Sequence, residues 1–239
     1  MTELNILMPM AGFGTRFSTA GWDTPKPIIN VEDKPMFINS LNSFDNFDVP
    51  LNITVIIRKE HSCFFDSDKV FKLYGKKIQI ITLQNPTKGA LETTLAAKNY
   101  INHKFPLVVM DCDLWFKSND YIDYVKKSIK NELDIDGFFP VFKSNLPKYS
   151  YALIENGMVV RTKEKEVISD NAIAGAYFFN KTELYMEYAQ KLVNKPLSSK
   201  EYYISLVYNE LIKKGKKIGF VILDEFKSFG TPEELKMII

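Results

Sequence analysis

Four short apolar runs lie in the first 110 residues, and segments with a helical pattern separate them. The runs are LNILMPM at 4–10, ITVII at 53–57, IQIIT at 78–82 and LVVM at 107–110. Between them, residues 35–44 carry apolar residues at helical spacing, and residues 90–101 are rich in alanine and leucine. Buried strands that alternate with helices form right-handed βαβ units, so this pattern predicts a parallel sheet.

The pattern changes near residue 135, where short strands begin to follow one another without helices between them. The predicted strands are 137–142, 151–155, 158–161 and 175–179, and the NG pair at 156–157 is typical of a hairpin turn. Helices are predicted over 181–193 and 201–214, a strand over 217–223, and a last helix at the TPEE capping box, 231–234. We therefore predict one α/β domain over 1–239, in which two lobes, 1–135 and 136–239, share a mixed, mainly parallel central sheet flanked by helices.

Composition limits the partners that the chain is expected to bind. It has 31 basic and 29 acidic residues, a formal net charge of +2, which argues against a dedicated nucleic-acid-binding protein. No window reaches the roughly 18 apolar residues of a membrane span, and the first residues, MTELNILM, lack the features of a signal peptide. We expect a cytoplasmic protein without nucleic-acid or membrane partners. A small anionic ligand needs only a few cations, so the composition leaves it open.

The segment AGFGTR at 11–16 follows the first predicted strand and combines glycines with a cation. Gly12 and Gly14 lack a Cβ, which lets the backbone turn sharply and approach a ligand. Ligands bind at the carboxyl ends of strands in open α/β sheets, where backbone N–H groups and the Arg16 guanidinium could hold phosphate oxygens. Prolines on both sides stiffen the backbone around Lys26. The spacing matches neither the Rossmann nor the Walker fingerprint, but it predicts an anion site.

Three motifs in order, GFGTR at 12–16, PKP at 25–27 and KPM at 34–36, resemble the start of the sugar-1-phosphate nucleotidyltransferases, or nucleoside-diphosphate-sugar pyrophosphorylases. The GTPEEL segment at 230–235 is similar to the end of the same family, so the resemblance covers nearly the whole chain. It implies a Rossmann-like, GT-A-type nucleotidyltransferase fold, with the nucleotide on lobe 1–135 and the sugar phosphate on lobe 136–239. The implied reaction transfers a nucleotidyl group from a nucleoside triphosphate to a sugar 1-phosphate and releases pyrophosphate, for surface polysaccharide synthesis.

The resemblance assigns nucleotide-binding roles within the first lobe. Arg16 and Lys26 would stabilise the phosphates during the reaction. Gln84 would read the nucleobase, and Gly89 would let the backbone approach it. The backbone of the glycine loop would bind the triphosphate through Ala11, Gly12, Gly14 and Thr15.

A metal site is implied at the end of the fourth predicted strand. Asp113 would bind Mg²⁺, a hard cation that prefers oxygen ligands, and Asp111 would be structural. Many family members carry a second metal-binding aspartate where this chain has Ser228. Asp224 or Glu225 could replace that aspartate. Otherwise the site would depend on Asp113, the substrate phosphates and water.

The resemblance places the sugar phosphate against the second lobe. Glu164 would accept hydrogen bonds from sugar hydroxyls, and Lys165 would bind the phosphate. Gly175 would leave room for the sugar ring. These three residues favour a sugar over another acceptor.

Three other functions stay open from the sequence. A cytidylyltransferase acting on a small phospho-alcohol, such as phosphocholine, would share the N-terminal loop. A glycosyltransferase could use the DCD motif at 111–113, and a non-catalytic nucleotide-sugar-binding protein could keep the same fold. The nucleobase, the sugar and the oligomeric state are not determined, although the family resemblance is compatible with a homo-oligomer.

Overall fold

A ten-stranded mixed sheet forms the centre of the protein, and helices cover its two faces. The computed structural model describes residues 3–65, 70, 74–197 and 200–238. The strands are β1 (Leu4–Met10), β2 (Asn30–Val31), β3 (Lys34–Pro35), β4 (Leu51–Arg58), β5 (Ile78–Leu83), β6 (Leu107–Met110), β7 (Leu114–Lys117), β8 (Gly137–Lys143), β9 (Ser150–Glu155), β10 (Met158–Glu164), β11 (Asn171–Ile173), β12 (Ala176–Phe179), β13 (Ile218–Ile222) and β14 (Glu225–Ser228). The helices in these ranges are α1 (Thr15–Thr19), α2 (Met36–Leu41), α3 (Ala90–Thr94), α4 (Asn119–Ile129), α5 (Thr182–Val193), α6 (Leu206–Ile212) and α7 (Pro232–Lys236). None of them is long and apolar enough to cross a membrane.

The strand order places a crevice between β1 and β6. The sheet runs β10-β9-β11-β8-β12-β6-β1-β4-β5, and β13 pairs with β8. Strands β5, β4, β1 and β6 are parallel, whereas β12 is antiparallel to both β6 and β8. The predicted mixed sheet is therefore confirmed. Because the chain leaves β1 towards β4 on one side and reaches β6 on the other, the carboxyl ends of β1 and β6 flank the position where open α/β sheets bind ligands.

Both faces of the central parallel strands β1 and β6 are buried, as continuous apolar runs require. In β1, Ile6 and Met8 pack into the hydrophobic cluster on one face, and Leu7 packs into the cluster on the other. Strand β6 alternates in the same way, with Val108 on the first face and Val109 on the second. Successive side chains of a strand point to opposite faces, so each strand contributes to two cores.

A third cluster joins the N-terminal loop to the C-terminal helix. Phe17 of α1, Ile29 and Met36 pack against Phe229 and Leu235. This packing brings the segment around Arg16 next to the GTPEEL segment, more than 200 residues later in the chain.

Two predicted helices are shorter than expected for identifiable reasons. In the segment predicted as a helix over 90–101, the hydroxyls of Thr93 and Thr94 bond back to the carbonyls of Gly89 and Leu91, and a 3₁₀ turn at Leu95–Ala97 follows α3. In the segment predicted over 201–214, helix α6 begins only at residue 206. The residues of this segment that precede α6 instead form backbone hydrogen bonds to the start of α3. Tyr202 N donates to Lys88 O at 2.9 Å, and Leu91 N donates to Tyr202 O at 3.1 Å.

The predicted hairpin turn and helix cap are confirmed, and five strands were not predicted. Asn156 and Gly157 have φ angles of 49° and 76°, as a two-residue hairpin requires. Thr231 Oγ1 accepts a hydrogen bond of 3.2 Å from Glu234 N and caps α7. The strands that the sequence pattern missed are β2, β3, β7, β11 and β14. Of these, β7 and β14, four residues each, pair with each other outside the main sheet.

Candidate active site

Two adjoining cavities open at the carboxyl ends of β1 and β6. The larger has a volume of about 570 Å³ and is lined by the glycine loop, by Lys26 and by the segment that opens α3. The smaller has a volume of about 170 Å³ and is lined by the residues after β6 and by the second half of the chain. Arg16, Ala90 and Gly230 line both cavities and mark the boundary between them.

The structure explains the two loop glycines, Gly12 and Gly14, in different ways. Gly14 adopts a φ of 63°, and a Cβ there would lie 3.2 Å from Lys26 Cβ, so the turn and its packing both favour glycine. At Gly12, no described atom beyond the chain neighbours lies within 4 Å of the Cβ position, and the residue faces the larger cavity. Packing therefore does not require Gly12, and the space that it leaves is available to a ligand.

Lys26 and Asp113 form an ion pair between the two cavities. The Lys26 ammonium donates a hydrogen bond to Asp113 Oδ2, and both side chains are mostly buried. Burial alone would lower the pKa of Lys26, but the charges of Asp113 and Asp111 outweigh it and keep the pKa above its ordinary value. Lys26 is therefore a fixed, fully charged ammonium at neutral pH.

Asp111 lies against Gly175, in the connection between β11 and β12. Its N–H donates to the Gly175 carbonyl at 2.9 Å. Gly175 has a φ of 63°, and a Cβ there would lie 2.5 Å from Asp111 Oδ2 and 2.6 Å from Leu114 Cδ2. Burial and the neighbouring Asp113 charge raise the pKa of Asp111 well above its usual range. The protein's own packing thus requires glycine at 175, and this residue also lines the smaller cavity.

Gly89 has a packing role that the sequence did not predict. Its φ is 139°, and a Cβ there would lie 2.6 Å from Tyr202 O, so glycine permits the backbone bonds between α3 and the segment before α6. Gly89 also lines the larger cavity. Gln84, in contrast, is exposed just after β5 and lies outside the lining of both cavities.

Glu164 and Lys165 are adjacent in sequence but line different cavities. Glu164 faces the smaller cavity, where its Oε2 accepts hydrogen bonds from Ser150 Oγ and, at 3.0 Å, from Ser205 Oγ. Burial raises the pKa of Glu164, although the serine hydroxyls partly offset this effect. Lys165 faces the larger cavity, has a φ of 56° and lies with its ammonium 3.1 Å from Tyr203 OH. Non-glycine residues rarely adopt this conformation.

A family model described as nucleotidyl transferase matches residues 5–236. The chain belongs to this family. The family and the enzyme class predicted from the sequence are therefore confirmed.

Solved structures resemble this nucleotidyltransferase along nearly its full length. The nucleoside-diphosphate-sugar pyrophosphorylase of Vibrio cholerae RC9 is 29% identical, with a TM-score of 0.82 over 98% of each chain. A UDP-glucose pyrophosphorylase complexed with UDP-glucose is 18% identical, with a TM-score of 0.78 over 100% of this chain and 97% of the other, and this likeness shows the shared fold. Among curated proteins, the bifunctional protein GlmU of Methanococcus maripaludis strain C5 is 23% identical over 233 residues, 96% of this chain. The nucleotidyltransferase spans about half the length of that relative, 52%.

The two cavities of the nucleotidyltransferase carry opposite charge. The cations that line the larger cavity are Arg16, Lys26, Lys88, Lys165 and Lys200, and its lining carboxylate is Glu201. The carboxyl groups that line the smaller cavity are Asp111, Asp113, Glu164 and Glu234, and its lining cations are Arg16 and Lys148. The raised pKa of Asp111 favours its neutral form, so the negative charge of this cavity comes from the other three carboxylates. The larger cavity thus suits a polyanion, and the smaller one suits hydrogen-bond donors or a cation.

The tertiary structure brings most of the predicted site residues of the nucleotidyltransferase together and adds others. Those in the lining of the two cavities are Ala11, Gly12, Gly14, Thr15, Arg16, Lys26, Gly89, Asp113, Glu164, Lys165 and Gly175. The sequence missed Lys88, Lys148, Tyr203 and Glu234. Lys88 adjoins a predicted glycine, and Glu234 lies in the GTPEEL segment, so both could have been found. Lys148 and Tyr203 come from segments without a local signal and reach the site only through tertiary packing.

Ser228 stands where an aspartate is expected, and neither Asp224 nor Glu225, the suggested replacements for that aspartate, reaches the site. Asp224 and Glu225 are exposed and lie outside the lining of both cavities. Glu225 pairs instead with Lys117 at 3.5 Å, across the β7–β14 ladder. Ser228 itself lines the smaller cavity.

Proposed function

We propose that the protein transfers a nucleotidyl group from a nucleoside triphosphate to a sugar 1-phosphate, which yields a nucleoside-diphosphate sugar and pyrophosphate. The observation that carries this proposal is the pair of adjoining cavities with opposite charge, which meet at Arg16 beside the Lys26–Asp113 pair. The triphosphate would bind in the basic cavity and the sugar in the acidic one. The proposed cytoplasmic location rests on the sequence features given above, and the proposed role in surface polysaccharide synthesis rests on the family resemblance.

The reaction needs positioning and charge neutralisation more than proton transfer. A phosphate monoester has a second pKa of about 6, so its attacking oxygen is already anionic at neutral pH. The barrier comes from bringing two anions together in line. Fixed cations and oriented N–H donors lower that barrier by offsetting the repulsion and the charge of the leaving group.

Glu164 and Lys165 support the orientation of the acceptor. Because they are consecutive but line different cavities, a sugar phosphate that bridges them would have its hydroxyls in the acidic cavity and its phosphate in the basic one. Within the described part of the chain, Glu164 Oε1 has no hydrogen-bond partner, so it is available to accept a bond from a hydroxyl. The phosphate bound to Lys165 would then face the triphosphate.

Arg16 and Lys26 would act on the triphosphate. Arg16 is exposed on α1, and its guanidinium has no hydrogen-bond or ion-pair partner among the described residues. Its planar donors could hold two oxygens of the leaving pyrophosphate. Lys26 would neutralise charge at the α-phosphoryl group, while the backbone around Gly12 supplies N–H donors. Gln84 is retained as a base contact on the resemblance alone.

The residues present fit a Mg²⁺ ion that binds together with the substrate. Asp113 Oδ2 and Ser228 Oγ lie beside Gly230 and are oxygen donors of the kind that Mg²⁺ prefers, and the Lys26 ammonium binds the same Oδ2. In the described ranges, no three His, Cys, Asp or Glu side chains converge into a metal site by themselves, so substrate phosphates would complete the coordination. When bound, the ion would neutralise charge on the phosphates.

A second acceptor class is favoured by the aromatic lining of the smaller cavity. Tyr149, Tyr177, Tyr203 and Phe226 line it together with its carboxylates. Aromatic faces and carboxylates also bind quaternary ammonium groups, so phosphocholine with CTP is the alternative substrate pair. The inositol-1-phosphate CTP transferase of T. maritima, 13% identical with a TM-score of 0.74, shares the fold.

A substrate matrix tests the proposal. The purified protein with Mg²⁺ is incubated with ATP, CTP, GTP, UTP or dTTP, each against a panel of sugar 1-phosphates, inositol 1-phosphate and phosphocholine, and pyrophosphate release is measured. We expect release with a sugar 1-phosphate and one preferred triphosphate. Release with phosphocholine alone would favour the second class. A folded protein that releases pyrophosphate with no pair would contradict both.

A further inference from the structure

Glu234 is a fixed carboxylate with one oxygen left for a ligand. Its backbone N–H donates a hydrogen bond to Thr231 Oγ1 at the start of α7, and this bond sets the position of the residue. Its Oε1 accepts hydrogen bonds from Lys148 Nζ and, at 3.1 Å, from Tyr149 OH. Its Oε2 has no hydrogen-bond partner in the part of the chain that the structure describes. The carboxylate is therefore oriented by protein contacts, and its second oxygen remains available.

Gly230 leaves a space that side-chain oxygens from three segments surround. A Cβ at this residue would lie 3.0 Å from Asp113 Oδ2, 3.4 Å from Glu234 Oε2 and 3.6 Å from Ser228 Oγ. The register of β14 against β7 fixes the serine, because Ser228 pairs with Leu114, the neighbour of Asp113. The absence of a side chain at 230 thus keeps open a cradle bordered by two carboxylates and a hydroxyl. Oxygen donors of this kind suit a hard divalent cation.

We infer that Glu234 is the second carboxylate ligand of the divalent cation, together with Asp113, in this chain where Ser228 stands at the position of the expected aspartate. This inference rests on the proposed function. It replaces the suggestion of Asp224 or Glu225, which the fold keeps away from the site. Lys148 and Tyr149 act as positioning residues, since they hold Oε1 and leave Oε2 beside Gly230, where Asp113 Oδ2 also lies.

Both carboxylates already face an ammonium group. Lys26 binds Asp113, and Lys148 binds Glu234. These ammonium groups compete with a free cation, so we expect weak binding of the cation alone and tighter binding when an anionic phosphate chain is also present. The test must therefore cover high cation concentrations and include a phosphate ligand.

Mn²⁺ serves as the probe, because its free form is counted by electron paramagnetic resonance. We expect Glu234→Gln to weaken Mn²⁺ binding by at least about tenfold. Replacing even a residue that only hydrogen-bonds to a metal ligand typically lowers metal affinity by that factor. The matched control is Glu225→Gln, an exposed carboxylate outside the cavities, which should bind within about twofold of the wild type. In the Glu234→Gln background, Ser228→Asp should regain the lost affinity. Circular dichroism checks that each variant is folded.

Three results of the binding measurements would overturn the inference. They are equal Mn²⁺ binding by wild type and Glu234→Gln, an equal loss in the Glu225→Gln control, and absence of Mn²⁺ uptake by the wild type up to millimolar concentration. If Glu234→Gln does not fold, Ser228→Asp alone must tighten Mn²⁺ binding, or the cradle is not a cation site. A crystal with Mn²⁺ and inorganic triphosphate should show anomalous density bonded to Glu234, and density bonded to Asp113 without Glu234 would contradict the proposal. Because these measurements do not use turnover, failure here is distinct from failure of the pyrophosphate assay.

Discussion

Lys26 and Asp113 form an ion pair that joins two loops 87 residues apart in the sequence. Lys26 follows the glycine loop, and Asp113 follows β6, so the pair spans the crevice between the two central parallel strands. In the absence of substrate, each charge compensates the other. With substrate bound, we expect the Lys26 ammonium to contact the α-phosphoryl group while Asp113 binds the divalent cation.

Replacing Lys26 should affect both stability and catalysis. Lys26→Met leaves the mostly buried Asp113 without its counter-charge, which should lower the free energy of unfolding by about 1–3 kcal/mol. Turnover should fall by about 10²–10³-fold, as for the loss of one preorganised electrostatic donor. Urea unfolding and pyrophosphate release measure the two effects. The Lys26→Met/Asp113→Asn double variant should be less destabilised than the sum of the single variants, and strictly additive losses would contradict a coupled pair.

Arg16→Ala should lower activity without affecting stability. Because the guanidinium is exposed and has no partner among the described residues, the free energy of unfolding should change by less than about 0.5 kcal/mol. We expect kcat/KM for the triphosphate to fall by at least about 10²-fold, since the leaving pyrophosphate loses its planar cation. Arg161→Ala, an exposed arginine on β10 outside both cavities, is the control. Near-normal kinetics of Arg16→Ala would show that Arg16 has no role in the mechanism.

Two glycine variants should separate a ligand-binding role from a packing role. Gly12→Ala adds a Cβ to open space in the larger cavity, so stability should stay within about 0.5 kcal/mol of wild type. Its KM for the triphosphate should rise by at least about tenfold, which corresponds to about 1.4 kcal/mol of lost binding. Gly89→Ala, with a φ of 139° and a Cβ 2.6 Å from Tyr202 O, should instead lose about 1–3 kcal/mol of stability. Calorimetric unfolding and initial-rate kinetics distinguish the two, and a destabilised Gly12→Ala would show that the loop is packed rather than open.

Glu164 should make the stability of the protein depend on pH. Burial raises its pKa above the ordinary 4.5, so the folded state binds this proton more tightly than the unfolded state. The stabilising contribution is complete below the unfolded pKa and is lost as pH rises through the folded pKa. Glu164→Gln cannot titrate, so its stability relative to wild type should rise with pH from about 4.5 and then level off.

Urea unfolding of both proteins at a series of pH values measures that difference. A constant difference between the two proteins over the whole series would show that Glu164 has the same pKa in both states. In activity assays, Glu164→Gln should raise the KM for the acceptor by at least about tenfold, because a hydrogen bond to a charged group contributes about 1.5–3 kcal/mol.

The parts predicted best from the sequence are those that depend on local pattern. The parallel strands were found because their apolar runs are buried on both faces, and the hairpin at Asn156 and the cap at Thr231 were found because their chemistry is local. Strands β7 and β14 were missed, since four-residue strands of mixed polarity have no distinctive period. Helix α6 begins late because Tyr202 bonds to the start of α3, a contact that no local propensity encodes.

The sequence by itself determined the elements, the glycine loop and the family to which the chain belongs, because these depend on residue types at short spacing. Only the tertiary structure decided which charges share a cavity. It separated Glu164 from Lys165, left Gln84 outside the cavities and brought Glu234 beside Asp113. The physical reason is that these relationships depend on strand order, on strand register and on the close approach that glycines allow at 89, 175 and 230, and all three are set by packing between segments far apart in the chain.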